Sequence, residues 1–278
     1  MKKSILLVLL TYSFGYAQVV APQPSPSTTV KQVVGLTDVE LSYSRPSMRG
    51  RTIMGALVPY GEMWRTGANR NTTLQFSDAV LVEGKSLAAG TYALFTRPGK
   101  ALWEVFFYTK TDNGGLPSEW DAKAVALVVE VTPTSLNESV ETFTIALENL
   151  HNNGATLSLN WENTSVPIQV EVPTDSKTMA SITKTMNNNP NADDMYAAAV
   201  YYLQNDKDLN KAKEWITKSI AMEDGKYWVY RQQSLILAAL NEKDAALEAA
   251  KKSLALAEAA GNQDYVRLNT AAIAEWSK

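Results

Sequence analysis

The chain is predicted to be α+β and multi-domain: an N-terminal antiparallel β-sandwich or jelly-roll-like domain, then a C-terminal all-α array of helical hairpins. Three observations predict this. Residues 29–172 carry short apolar/polar alternations of period two, broken by turn residues. At Pro173 the composition switches to a Thr/Asn/Ser-rich stretch. From 193 to 278 Ala is abundant, Gly and Pro nearly vanish, and the apolar spacing becomes helical.

The elements follow in order. Residues 1–17 read as a secretory signal. Lys2 and Lys3 form its basic start, Ser4–Phe14 its apolar centre, and Gly15-Tyr16-Ala17 offers small residues for cleavage before Gln18. The apolar centre is short of the roughly 20 residues a bilayer span needs. Residues 18–28, QVVAPQPSPST, are a flexible Pro/Ser lead-in.

The β part then runs through VELSYS (39–44), TTLQFS (72–77), AVLVEG, GTYALFT, WEVFFYT (103–109), AVALVVEVT (124–132), ETFTIALENL (141–150), ATLSLNWE (155–162) and VPIQVEV (166–172). WEVFFYT holds the continuous apolar and aromatic run VFFY, as expected of a strand buried on both faces. Pro98-Gly99, Asn113-Gly114-Gly115 and Asn152-Asn153-Gly154 punctuate the series.

Residues 173–192 read as a linker with one short helix around 176–186. Five helices follow, at about 193–205, 208–222, 227–240, 243–260 and 264–277. A shift of 34 residues lays Asp208 on Glu242, Ala212 on Ala246, Ser219 on Ser253 and Ile220 on Leu254. That is the tetratricopeptide period. The small residue of the second helix is kept as Ala212 and Ala246, and the first-helix aromatic as Tyr196 and Tyr230. Val200 and Ser234 replace the first-helix Gly, and Asp224 and Glu258 the terminal Pro. The array therefore reads as tetratricopeptide-like, with a plain antiparallel bundle as the alternative.

Composition narrows the function classes. The 278 residues carry 45% hydrophobic and 20% charged side chains, with a net charge of −3. Cleavage of the leader would make the chain more acidic still. Such a chain has no global attraction for nucleic acid. No later stretch is apolar enough for a transmembrane segment, so the mature chain is expected to be exported and periplasmic or secreted. The absence of Cys removes thiol chemistry, Cys-bound zinc and iron–sulfur clusters. The only His, His151, lies beside a turn and reads as a surface residue. No phosphate loop, dinucleotide fingerprint or EF-hand loop occurs, and no cofactor or metal is predicted.

The stretch LSYSRPSMRGRTIMGALVPYGEMWRTGANRNTTLQFS, then LVEGKSLAAGTYALFTRPGKALWEVFFY and LSLNWENTSVPIQVEV, resembles the bacterial family called domain of unknown function 2911. Ser-Arg-Pro, Val-Pro-Tyr-Gly, Trp-Arg-Thr-Gly-Ala-Asn, Ala-Gly-Thr-Tyr and Trp-Glu…Val-Pro carry the resemblance, over about residues 29–172. It implies the domain limits and export in Gram-negative bacteria. It brings no catalytic residue or cofactor.

The positive signal is arginine. Five of eight Arg fall at 45, 49, 51, 65 and 70, a window whose one acid is Glu62. Arg offers a planar fork of donors suited to carboxylate, sulfate or phosphate. The candidate ligand-binding residues are Arg45, Tyr60, Glu62, Trp64, Arg65 and Asn69. The aromatics would stack a sugar ring or an Arg plane, and Asn69 would complete the bonding of a polar ligand. The same stretch also reads as a latch that stitches a long loop to its sheet.

Three functions stay open. The first is a non-catalytic binding or assembly module for an anionic or carbohydrate-like ligand, with a protein partner on the helices. The second is a hydrolase acting on an envelope glycan or ester, with Glu62, Glu104 and Glu162 as candidate acids. The third is a purely structural envelope protein. No catalytic residue is assigned.

Overall fold

The computed structural model describes residues 21–278; the expected signal segment 1–17 lies outside the described residues. The chain divides into two compact units, one ending at Thr174 and the other spanning Asp175–Lys278.

The first unit is two antiparallel sheets. Its strands are β1 (Ser27–Val34), β2 (Thr37–Ser44), β3 (Thr73–Phe76), β4 (Val80–Val82), β5 (Lys85–Leu87), β6 (Gly90–Arg97), β7 (Trp103–Tyr108), β8 (Val125–Val131), β9 (Thr134–His151) and β10 (Gly154–Glu171). One sheet has the order β1-β2-β3-β6-β7-β8 and the other β5-β4-β10-β9. Alternation decides what lies between them. Val39, Leu41, Leu74, Phe76, Leu94, Trp103, Val105 and Phe107 join Phe143, Ile145, Leu157, Leu159, Trp161 and Ile168 in one core. β7 is buried on its other face too. There Phe106 and Tyr108 pack with Ala93, Phe95 and Ala124, and the Trp120 ring lies edge-on to Phe95 at 5.5 Å. The apolar run Val105–Tyr108 of β7 thus has a partner on each side.

Three details depart from the reading of the sequence. ATLSLNWE and VPIQVEV are one strand, β10, paired with the equally long β9 through register shifts at Asn160/Glu162 and Glu162/Thr164. A bulge absorbs the polar interruption that resembled a turn, and Glu162 takes a φ of 54° there. Pro167 is tolerated because β10 pairs with β9 only as far as Ser165 and with β4 only from Val170. Residues 27 and 28, assigned to the lead-in, begin β1, and Lys85–Leu87 form a short strand after a turn. In that turn Glu83 and Gly84 both have positive φ, as a two-residue hairpin requires.

The second unit is helical: α1 (Thr174–Met186), α2 (Ala192–Gln204), α3 (Leu209–Met222), α4 (Tyr227–Ala239), α5 (Lys243–Ala259) and α6 (Gln263–Trp276). The stretch read as a linker is mostly α1, whose Met179, Ile182 and Met186 pack on the core of Met195, Ala199, Trp215, Ile216 and Ile236. Caps set the boundaries. Asn191 and Asp194 form a reciprocal capping box. The Asp208 carboxylate accepts from the Asn210 and Lys211 amides, and Asn262 caps α6. Ala212 and Ala246 are wholly buried, so their methyl groups let neighbouring helices approach. Among the described residues no helix is long and apolar enough to cross a membrane.

Candidate functional site

Residues 45–72 connect β2 to β3, and much of the Arg-rich stretch anchors this long connection. Arg45 donates through Nε to the Phe143 carbonyl (3.2 Å) and through Nη2 to Thr144 Oγ1 (2.7 Å). Arg49 donates through Nη2 to the Pro24 carbonyl, while its amide reaches Glu141 Oε1. Arg51 folds back on the carbonyls of Met48 and Ser47. From the opposite sheet, Glu162 accepts from the amides of Ile53 (3.3 Å) and Met54 (3.0 Å). Trp64 and Thr96 exchange backbone hydrogen bonds at 2.7 and 3.0 Å.

Past that bridge the backbone turns sharply. Thr66, Gly67 and Asn69 have φ of 54°, 140° and 59°. A β-branched residue in the left-handed region is strained, and here it is fully buried. Gly67 is required twice over. Its φ disfavours a side chain, and a Cβ would come within 3.0 Å of Thr72 Oγ1 and 3.2 Å of the Ser44 carbonyl. Thr66 is held by its hydroxyl contact with Thr96 Oγ1 (3.0 Å) and by the Thr72 hydroxyl, which donates to its carbonyl. Among the described residues, the backbone N–H groups of Thr66, Gly67, Ala68 and Asn69 reach no protein acceptor. Thr66 and Gly67 are buried, where an amide ordinarily has a partner.

This turn forms one wall of a groove of about 370 Å³, whose other walls include Arg51, Leu57, Trp64, Arg65 and Trp161. That volume is within the range of small-molecule sites. Trp64 stacks on Trp161 at 5.8 Å and 22° and meets Phe143 edge-on at 5.0 Å, which fixes the aromatic wall. Arg65 is only lightly tethered, Nη1 donating to the Asn69 carbonyl at 3.2 Å. Among the described residues none of the five Arg forms an ion pair with a carboxylate. The groove therefore presents positive charge, unpaired amide donors and an aromatic face together.

Of the six residues predicted from sequence, Trp64, Arg65 and Asn69 line this groove. Arg45 is committed to β9. Tyr60 is exposed beside Lys100, whose Nζ is 5.9 Å from the ring centroid, and it lines a smaller hollow of about 210 Å³. Glu62 is exposed and lines neither. Sequence reasoning missed Trp161, which its strand periodicity marked only as core. It also missed Arg51 as a lining residue and Gly115, which sits against Arg65. No local signal marks Gly115, because the contact joins residues far apart in the chain.

The other candidate chemistry is scattered. Glu104 pairs with Arg97 at 2.7 Å, and Glu162 supports residues 53 and 54. His151 Nδ1 accepts from the Asn153 amide at the β9–β10 turn. Among the described residues no three His, Asp or Glu side chains converge as a metal site needs.

A family model described as "Protein of unknown function (DUF2911)" matches residues 25–170, slightly more than half of the chain. No curated protein and no solved structure matches it.

Proposed function

The chain belongs to the family described as protein of unknown function DUF2911, and we propose that its β unit is a non-catalytic binding module for a small anionic or carbohydrate-like ligand. One observation carries this reading: Gly67, Ala68 and Asn69, whose amides have no protein acceptor among the described residues, line the same groove as Arg51, Arg65 and the Trp64–Trp161 wall. Amides in left-handed turns make anion-binding concavities. An Arg fork adds charge-assisted bonds to a carboxylate. An apolar wall of Trp64, Leu57 and Val58 would take the hydrocarbon face of the same molecule.

We read the protein as exported and periplasmic, on the strength of its apolar, basic-led N-terminus. The helical unit is read as a tetratricopeptide-like array offering a surface to a protein partner. Equivalent positions support this. Ser219 donates to the Ala192 carbonyl and Ser253 to the Tyr227 carbonyl, the two serines lying one 34-residue shift apart.

The test is the melting temperature of the chain from Gln18 onward against simple anions, acidic sugars and neutral oligosaccharides, beside Arg65→Ala. A ligand at 100 times its Kd adds about 2.7 kcal/mol, a readily visible shift. A shift that vanishes in a still-folded R65A supports the site. No shift with any compound, together with a strongly destabilised R65A, would make the stretch a structural latch.

A further inference from the structure

We infer that the ligand is a chain: an acidic oligosaccharide whose charged unit sits against Arg65 and whose neutral units run along a hydroxyl-lined trough on the outer face of β1–β3. This rests on the binding reading above and extends it to a ligand class.

The trough, about 710 Å³, adjoins the Trp64 groove, and Ser25 and Asn69 line both. Asn69 sits at the seam, its Nδ2 donating to the Ser25 carbonyl (3.1 Å) and to Ser44 Oγ (3.3 Å). The floor follows from strand register. Thr29 pairs with Ser42 and Ser42 with Thr73, which sets three hydroxyls in one row across three strands. Thr29 and Ser42 are in contact through their hydroxyls at 2.7 Å. The next pair along is Ser27 with Ser44. Their neighbours Leu41, Tyr43 and Leu74 turn into the core, so the hydroxyls occupy the outer face by alternation. The field is local, because two residues further on the same face carries the Lys31–Glu40 ion pair at 2.9 Å.

The chemistry of the trough selects among ligands. Its lining includes no carboxylate and a single cation, Arg70. Asn71, 6% exposed, fixes its amide by donating to the Gly115 carbonyl (2.8 Å), which leaves Oδ1 buried without a donor. A ligand hydroxyl is the group that would supply one. An extended peptide would instead want apolar pockets for alternate side chains. Tyr43 is the one aromatic in the lining and is nearly buried. A row of hydroxyls and amides matches a polyhydroxylated chain, and the adjoining Arg51–Arg65 groove matches one acidic sugar.

Calorimetric titration of the chain from Gln18 onward, with free glucuronate and galacturonate and with trisaccharides that carry one such terminal uronate on two neutral hexoses, tests this. At least one trisaccharide is expected to bind tenfold or more tighter than its monomer. Ser42→Tyr, which fills the floor with a residue that strands favour, should return that trisaccharide to the monomer's affinity while leaving the monomer unaffected. Arg65→Ala should weaken both. If S42Y lowers the melting temperature, Thr29→Tyr blocks the same row from β1. Equal affinity for monomer and trisaccharide, or full trisaccharide affinity in the blocked variants, overturns the chain proposal and leaves the binding site standing. Failure of every uronate to bind overturns both.

Discussion

Gly115 lies against the guanidinium of Arg65: a Cβ placed on Gly115 would be 2.7 Å from Nη1 and 2.9 Å from Cζ. The loop between β7 and β8 thereby holds the arginine that faces the groove. Asn71 secures the same glycine by donating to its carbonyl. Loop and arginine are therefore set as a unit.

Gly115→Ala should displace the Arg65 side chain and weaken anionic ligands several-fold. Unfolding free energy should change by no more than about 1 kcal/mol, since a flexible side chain can yield. Adding Arg65→Ala to G115A should cost little further affinity, because the two changes act through one contact. Paired titrations of the single and double variants measure the coupling.

Arg45 should behave in the opposite way. It serves the sheet, so Arg45→Ala is expected to lower stability by about 1–3 kcal/mol, with ligand affinity unchanged. Arg45→Lys should not restore it, because one ammonium cannot reproduce the fork that reaches the Phe143 carbonyl and Thr144 Oγ1 together. Urea midpoints of the two variants, set beside their titrations, separate the anchor from the site.

Tyr43 gives a third outcome. Its hydroxyl accepts from the Ile145 amide (2.9 Å) and donates to the Ile145 carbonyl (3.1 Å), so a side chain completes the bonding of strand β9. Tyr43→Phe keeps the ring and strands both backbone groups in a buried place. A loss of about 1–3 kcal/mol is expected. Faster hydrogen exchange at the Ile145 amide would locate it.

The helical unit carries a pH signature. Tyr230 donates to Asp224 Oδ1 at 2.7 Å. Burial, then the Asp224 hydrogen bond, pushes the Tyr230 phenol up to about 12. The Tyr230 hydroxyl, then the Gly225 amide, holds Asp224 below its ordinary 3.8. The sign follows for each group. The depressed carboxylate contributes stability above about pH 4, lost as acid protonates it. The raised phenol contributes below about pH 10, lost as pH climbs through 12. The gap in urea midpoint between the parent and Tyr230→Phe should be flat across neutral pH and shrink at both extremes. A gap that does not narrow as acid protonates Asp224 would show that the Asp224 bond contributes nothing.

Much of the architecture was legible because it is local. The five helices after 192 were expected within a residue or two of where they lie, since apolar spacing and the acids at Asp194 and Asp208 act within one turn. The strands were legible where alternation was clean, as in β2. The reading failed at residues 162–165, where a bulge keeps a strand running through polar residues and pairing decides the outcome. It also failed at Lys85–Leu87, which is too short to show a period.

The arginine cluster divides the same way. Composition alone concentrated five Arg in one connection and none of the chemistry of thiols, since the chain has no Cys. It could not separate Arg45 from Arg65. That distinction depends on which carbonyls β9 presents and on where Gly115 returns to the loop, contacts spanning tens of residues. By itself the sequence determined the helices after 192, the cleanly alternating strands and the switch from strands to helices near Pro173, because periodicity and turn chemistry are short-range. Only the tertiary structure decided which arginines anchor and which face a groove. A guanidinium bonds to whatever acceptors the fold brings near it, and those are set by the packing of distant strands.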